Sequence, residues 1–509
     1  MKNKSSNIHQ IIFVGFIFIS FISLILNFFL PLSKNINTLV IFIILLISSF
    51  RFKIGMYEIK NILFISIFTF FLIIYDTVYR PDAYLYHLPY SQILNENKII
   101  LGLSNLHFRF GHVSILQYIS SINLTYFSGI NGLLAPVAIF WSNLLLYFAK
   151  DSLRALRNSD YSISKVFSLI IFLFICARIN RYGEFGNDAV GHLALFYVVS
   201  LFLNYEAKNV DKFKELLLCS VFVFINKTFL AFIFIIPIYI FLYEKHKFFK
   251  TLFSLPTFLL LLWIFKNLLI SGCIIYPLEK TCINKFKWTN IEDTRIKKIE
   301  SEAWSKGWPD RVQKNITPKE FIKGISWVQT WVKKNLNIFL KNFLILVLII
   351  LLIFIFTGHH EINKKNKNKI LILLIFSTLG SIYYFLKFPI YRYGYSYFVT
   401  FLIFFGLFFL KPQIKNFKNN TMVKYLLILG FIILSGKQIQ RINNNISLSP
   451  LSNLNYSNNF EINKISNSFY YYYSKKECGY KKAPCTNYKH KNLKHQSLYG
   501  YDILYLESK

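Results

Sequence analysis

The stretch ILFISIFTFFLIIYDTVYRPDAYLYHLPYSQILNENKIILGLSNLHFRFGH spans residues 62–112. Its first part, Ile62–Tyr75, is almost unbroken apolar chain. Its second, Thr77–His112, holds Arg80, Asp82, His87, Glu96, Lys98, His107, Arg109 and His112. The first part suits lipid, where a helix satisfies its own backbone. An acidic residue held where a span leaves the bilayer is costly unless it is paired or has work to do. This one boundary therefore points to a membrane fold and to a site in the polar segment that follows.

The same alternation runs through the chain. Of its 509 residues, 54% are hydrophobic and 55 are Phe, and the mean hydropathy is +0.42. That composition is of the membrane class. Apolar segments read as spans lie at approximately 10–30, 38–50, 62–76, 130–149, 163–178, 189–204, 214–226, 228–243, 250–270, 341–357, 370–386, 396–410 and 424–438. Segment 38–50 is short, and 214–243 also reads as one kinked helix. The expected fold is all-α: a polytopic domain over residues 1–438 with about 13 transmembrane helices, then a small extracytoplasmic tail over 439–509. The first apolar run is too long for the core of a cleavable signal, and no small-residue cleavage site follows it.

The chain carries 58 Lys+Arg against 24 Asp+Glu, a net charge of +34. A basic balance can signal nucleic acid, but no nucleic-acid motif is present and the cations fall where the positive-inside rule places them. With a cytoplasmic N-terminus, the inner connections hold Arg51, Lys53 and Lys60, then Lys150, Arg154 and Arg157, then Lys208, Lys212 and Lys214, then Lys245, Lys247 and Lys250. Later ones hold Lys364, Lys365, Lys367 and Lys369, then Lys411, Lys415, Lys418 and Lys424. Loops 77–129, 178–188, 271–340 and 387–396 and the tail then lie outside a cytoplasmic membrane. Cys176 and Cys219 sit in apolar spans as small hydrophobic residues. Cys273 and Cys282 share one outer loop, and Cys478 and Cys485 share the tail. Two disulfides in an oxidising compartment fit these pairs. A Cys₄ zinc site is the alternative, although neither pair has C-x-x-C spacing. Charge and cysteine placement thus agree on which segments are outside.

Asp82 is the candidate catalytic residue, a carboxylate able to take a proton from a hydroxyl; its plainer role is an ion pair with Arg80. His87, His107 and His112 raise a divalent metal, zinc or manganese, as an alternative. His107 and His112 are five apart, which is not one helical face, so no metal or other cofactor is assigned. Arg109, Arg181, Lys227 and Arg392 are candidate anion binders, since a guanidinium fork grips two oxygens at once. Lys227 stands in the middle of VFVFINKTFLAF, where a lone cation is expensive unless the helix breaks there. Asp188 in GEFGNDAVGHL repeats the theme of a carboxylate at the outer end of a span, or serves with Asn187 as a helix cap; Glu184 is a weaker candidate. Lys266 is read as snorkelling. Trp288, Trp304, Trp308, Trp327 and Trp331 are read as interfacial anchors. The binding set is His87, Arg109, His112, Asp188, Lys227, Arg392 and Tyr393.

The acid-bearing first outer loop, the many spans and the late outer loop together resemble the GT-C superfamily of polyprenyl-phosphate-sugar glycosyltransferases. D-A-x-x-Y-H-L-P at Asp82–Pro89, S-G-C-x-x-Y-P-x-x-x-T-C at Ser271–Cys282, R-Y-G at Arg392–Gly394 and C-x(6)-C-T at Cys478–Thr486 resemble a bacterial family of multi-spanning membrane proteins. The resemblance implies a sugar moved from a lipid-linked donor to an extracytoplasmic acceptor: a cell-envelope glycan, lipid or protein. Asp82 stands at the position of the family's catalytic acid, followed by Ala83 where many members carry a second acid. The implied partners are the donor and membrane lipids, with no nucleic acid. A transporter or flippase of lipid-linked saccharides, a polymerase centred on loop 271–340, and a purely structural membrane protein are the competing readings.

Overall fold

The computed structural model describes residues 8–51, 56–73, 81–158, 163–178, 186–206, 209–244, 254–308, 316–355, 358–359, 364–410, 412–413, 420–444 and 460–507. The chain is mainly helical. The helices are α1 (Ile8–Phe29), α2 (Lys34–Arg51), α3 (Met56–Ile73), α4 (Leu88–Glu96), α5 (Ile115–Ile122), α6 (Ala135–Asn158), α7 (Ile163–Arg178), α8 (Asp188–Leu203) and α9 (Val210–Asn226). They continue as α10 (Ile235–Tyr243), α11 (Leu255–Ser271), α12 (Ile291–Lys306), α13 (Pro318–Phe321), α14 (Trp327–Ile355), α15 (Lys364–Lys387), α16 (Tyr391–Leu410) and α17 (Asn420–Asn444). Among the described residues, five helices are long and apolar enough to cross a membrane: Ile8–Phe29, Trp327–Ile353, Lys367–Lys387, Tyr391–Phe409 and Val423–Asn443. Five shorter apolar helices accompany them. The sequence suggested about 13 spans, a number this count does not reach. One reason is visible in α7, which is only 16 residues long and is buried from Ile163 to Cys176 except at Lys165. A helix surrounded by protein has no need of a full lipid-spanning apolar face.

The core is built on α6, α7, α8 and α9, with Trp141, Phe172, Phe196 and Phe222 almost fully buried. The outer helices leave apolar side chains exposed, such as Leu45 on α2, Leu348 on α14 and Ile432 on α17. In water such faces would be a liability; against lipid they cost nothing. α15 and α16 pack as an antiparallel hairpin made possible by two reciprocal glycines. A Cβ on Gly380 would meet the Tyr397 ring at 2.4 Å, and one on Gly394 would meet the Tyr384 ring at 2.3 Å.

The segment after α3 is a folded, largely buried unit. A π-helical turn over Ala83–His87 leads into α4, and 3₁₀ turns lead into α5. Asparagines tie it to the bundle. Asn37 Nδ2 donates to the carbonyls of Leu32 at 2.7 Å, Ser121 at 2.9 Å and Leu124 at 3.0 Å. Asn95 Nδ2 donates to Leu32 O and Ser121 O.

Both expected disulfides are present, Cys273–Cys282 and Cys478–Cys485; Cys176 and Cys219 are buried free thiols. The tail adds strands to the helical chain. β3 (Glu461–Lys464) pairs antiparallel with β4 (Tyr470–Tyr473), and β5 (Cys485–Thr486) pairs parallel with β4. β6 (Leu493–Leu498) and β7 (Tyr501–Leu506) form a second hairpin. In chain order, β1 (Gly358–His359) and β2 (Pro412–Gln413) form a separate short pair. The tail docks on the first polar segment: Leu101 N donates to Asp502 O, and Leu504 N to Leu101 O.

Two expectations are corrected here. Lys266 does not snorkel. It is fully buried, donates to Val113 O at 3.2 Å and lies 3.4 Å from the Trp263 ring centre. Trp327 and Trp331 are buried in protein contacts with Phe385, so they brace the loop internally and do not anchor it at the membrane surface. Replacing Asn37 with Ala removes three buried hydrogen bonds and takes from Leu124 O its Asn37 donor, while Leu32 O and Ser121 O keep that of Asn95. The expected result is a loss of about 1–3 kcal/mol in stability, read as a lower melting temperature in detergent micelles.

Candidate functional site

The site gathers where helices end. Asn226 closes α9, and the chain breaks at Lys227 in an extended conformation before the 3₁₀ turn Thr228–Phe234. The break brings Lys227 against the first turn of α8, whose opening residue is Asp188, a position where the helix dipole favours a carboxylate. Lys227 Nζ donates to Asp188 Oδ1 at 2.6 Å and to Arg392 O at 3.0 Å. Reciprocal bonds hold the two chain ends together: Asn187 Nδ2 to Asn226 O at 2.7 Å, and Asn226 Nδ2 to Asn187 O at 3.3 Å.

Arg392, in the first turn of α16, links this pair to the first polar segment. Its Nη2 donates to Asp82 Oδ2 at 2.6 Å, while its Nε lies 3.8 Å from Asp188 Oδ2. One guanidinium is thus shared between two carboxylates. Exposure rises across the group: the side chains are 8% exposed for Lys227, 20% for Asp188, 28% for Asp82 and 37% for Arg392. Asp82 is therefore the more exposed of the two carboxylates. Tyr393 lies beneath the cations, its ring centre 5.0 Å from Lys227 Nζ and 5.4 Å from the Arg392 guanidinium.

Arg109 faces the same space from the other side, 5.0 Å from the Tyr86 ring, 5.2 Å from Phe108 and 5.9 Å from Trp304. Among the described residues it has no ion-pair partner within 4 Å. Burial raises the Asp82 carboxyl, but the Arg392 and Arg109 guanidiniums outweigh it and hold Asp82 below the usual carboxylate range. His87 Nδ1 bonds Gln117 Nε2 at 2.8 Å, and burial pushes the imidazole down to about 4. It is neutral at pH 7. Among the described residues, three cations, Arg109, Lys227 and Arg392, then face two carboxylates, an excess of one positive charge.

The geometry thus assembles Asp82, His87, Arg109, Asp188, Lys227, Arg392 and Tyr393. His112 lies behind Phe108, its ring edge-on to Phe108 at 6.2 Å and to Tyr276 at 5.2 Å. His107 accepts from Arg109 N and caps the 3₁₀ turn Phe108–His112. Among the described residues no three His, Cys, Asp or Glu side chains are grouped to hold a metal ion. Arg80, Arg181 and Glu184 lie outside the described residues.

Sequence reading missed His192. It is fully buried, donates from Nε2 to Arg392 O at 2.8 Å and accepts at Nδ1 from Ser396 Oγ at 2.7 Å. The signal was available, since His192 follows Asp188 by four residues on one helical face. A small apolar hollow between α7, α14 and α16 is lined by Phe174, Phe339, Tyr391, Tyr395, Phe398 and Leu402.

Two outcomes follow. Asp188→Asn leaves the Lys227 ammonium buried without its counter-ion and should cost about 3 kcal/mol or more, most of it recovered in Asp188→Asn/Lys227→Met; thermal unfolding of the three variants checks this. Because burial holds His87 near 4 and also lowers His107, to about 3, the unfolded chain binds more protons between pH ~6.5 and ~4. Stability should fall on acidification through that window, and His87→Gln should make the fall shallower in melting curves taken against pH. Asp82, held low, contributes stability that is lost only at more acid pH.

A family model described as "Domain of unknown function (DUF8201)" matches residues 1–399, and the chain belongs to that family. No curated protein and no solved structure matches it.

Proposed function

We propose that this DUF8201 member is a GT-C-type membrane glycosyltransferase that moves a sugar from a polyprenyl-phosphate donor to a hydroxyl of an extracytoplasmic acceptor. The observation that carries the reading is the part-exposed Asp82 carboxylate, set among cations that outnumber the carboxylates among the described residues. The excess positive charge, nearest Arg109, suits the phosphate of a lipid-linked donor.

In this mechanism the acceptor oxygen attacks the anomeric carbon as the bond from that carbon to the phosphate oxygen breaks. The phosphate leaves with the electron pair, and Asp82 takes the hydroxyl proton. The transition state has oxocarbenium character, so a weak carboxylate base is sufficient if the proton leaves late. Arg109 and Arg392 stabilise the charge growing on the departing phosphate. A phosphate that draws Arg392 toward itself also frees Asp82, whose carboxyl then rises toward its ordinary value and becomes a better base. The site is thereby switched on by its own donor.

The reading includes a topology: about thirteen spans in the cytoplasmic membrane, an inner N-terminus, and loops and tail outside. In its support, the ion-pair group and both disulfides lie at one end of the bundle. At the other end of α8, Lys369 donates to Leu203 O at 2.6 Å and Tyr205 O at 2.8 Å, as positive-inside placement requires. The connections with Lys53, Lys208, Lys245, Lys247, Lys250, Lys411, Lys415 and Lys418 lie outside the described residues. Charges gathered at helix ends favour an enzyme over a transporter, which would carry them through the middle of its spans.

Transfer from a radiolabelled polyprenyl-phosphate sugar is measured in membranes with matched amounts of wild type and Asp82→Asn. Loss of about 10²-fold or more in the variant is expected. Equal transfer by both removes Asp82 from the role. Transfer by neither, across several donors and acceptors, overturns the transferase and leaves lipid-sugar transport to be tested.

A further inference from the structure

We propose that the disulfide-closed loop of the tail, Cys478–Cys485, is a positioning clamp for Asp82, supplying hydrogen bonds that the helix carrying Asp82 cannot make. The proposal rests on the reading of Asp82 as the base, but the clamp itself is a matter of geometry.

Asp82 immediately precedes the π-helical turn Ala83–His87. In that turn Ala83 O accepts from Leu88 N, five residues on. The next carbonyl in the same register, Tyr84 O, would accept from residue 89. That residue is Pro89, which has no N–H. The tail fills the place: Cys478 N donates to Tyr84 O at 3.2 Å and Gly479 N at 2.9 Å. Two successive N–H groups converge on one oxygen only when the chain curls into a nest, and Gly479 has φ +63° to allow it.

The clamp is anchored on both sides. Tyr480 packs against the buried group of Ala83, Tyr84 and Leu88, and its hydroxyl donates to Asn95 Oδ1 at 3.1 Å. Cys485 lies in β5, paired with Tyr472 of β4, so the disulfide ties the nest to the tail's sheet. Both sulfurs belong to buried residues.

The register of this turn decides where Asp82 points. Conversion from π to α register removes one residue from the turn and rotates the preceding residue by about 100° about the helix axis. Asp82 would then leave Arg392. The π turn is a rare local form frequently found at functional sites, and here a distant part of the chain holds it.

The test uses the full chain in lipid nanodiscs, as wild type, Cys478→Ser/Cys485→Ser, that pair combined with Pro89→Ala, and Cys273→Ser/Cys282→Ser. Amide hydrogen exchange is followed over residues 83–88, with turnover and donor KM measured in parallel. Cys478→Ser/Cys485→Ser should exchange about tenfold faster or more there, and lose about tenfold or more in turnover with donor KM little changed. Adding Pro89→Ala restores an N–H to the helix and should recover part of both. Cys273→Ser/Cys282→Ser should leave exchange at 83–88 unchanged. Unchanged exchange in Cys478→Ser/Cys485→Ser overturns the clamp. Faster exchange with unchanged turnover overturns its role in positioning Asp82. If even wild type transfers no sugar, the glycosyltransferase reading fails, while exchange still decides the clamp.

Discussion

An ammonium buried where helices meet must be neutralised, and the requirement at Lys227 organises the end of the bundle. Lys227 is only 8% exposed, and burial of an unpaired cation costs several kcal/mol. Asp188 supplies the opposing charge and Arg392 O a further acceptor. To bring these together, α9 must stop at Asn226, α8 must begin at Asp188, and α16 must present its first turn. The Asn187–Asn226 bonds and His192 hold that junction. The break in a long apolar run is thus the feature that lets the cation be satisfied.

Arg392 carries the arrangement outward. By reaching Asp82 as well as Asp188 it joins the bundle to the polar segment after α3. That segment is itself held by buried asparagines and by the tail, so the Asp82 carboxylate stands on a rigid base. Arg109, framed by Tyr86, Phe108 and Trp304, adds a charge with no ion-pair partner among the described residues.

The cysteines show how covalent and polar constraints cooperate. Each bridge closes a short loop, and each loop lies at the end of the bundle that carries the ion pairs. The first continues from α11 toward the helix α12 that bears Trp304. The second reaches Tyr84 O beside Asp82.

The sequence by itself determined the membrane class, the helical bundle and the cysteine pairs, because apolar length and short-range pairing are local properties. It also singled out Asp82, Arg109, Asp188, Lys227 and Arg392 one by one, since each ionisable group beside an apolar run stands out against its neighbours. Their partners were another matter. Asp82 pairs with Arg392, 310 residues away, and nothing local specifies such a contact. The burial of Lys266 and of Trp327 was hidden for the same reason: an apolar helix reads alike whether it faces lipid or protein. His192 lay on the face of Asp188 but inside an apolar run, where a histidine reads as a core residue. Only the tertiary structure decided which charges share one space, which residues lipid does not reach, and which carbonyl the tail completes, because these depend on how distant helix ends meet.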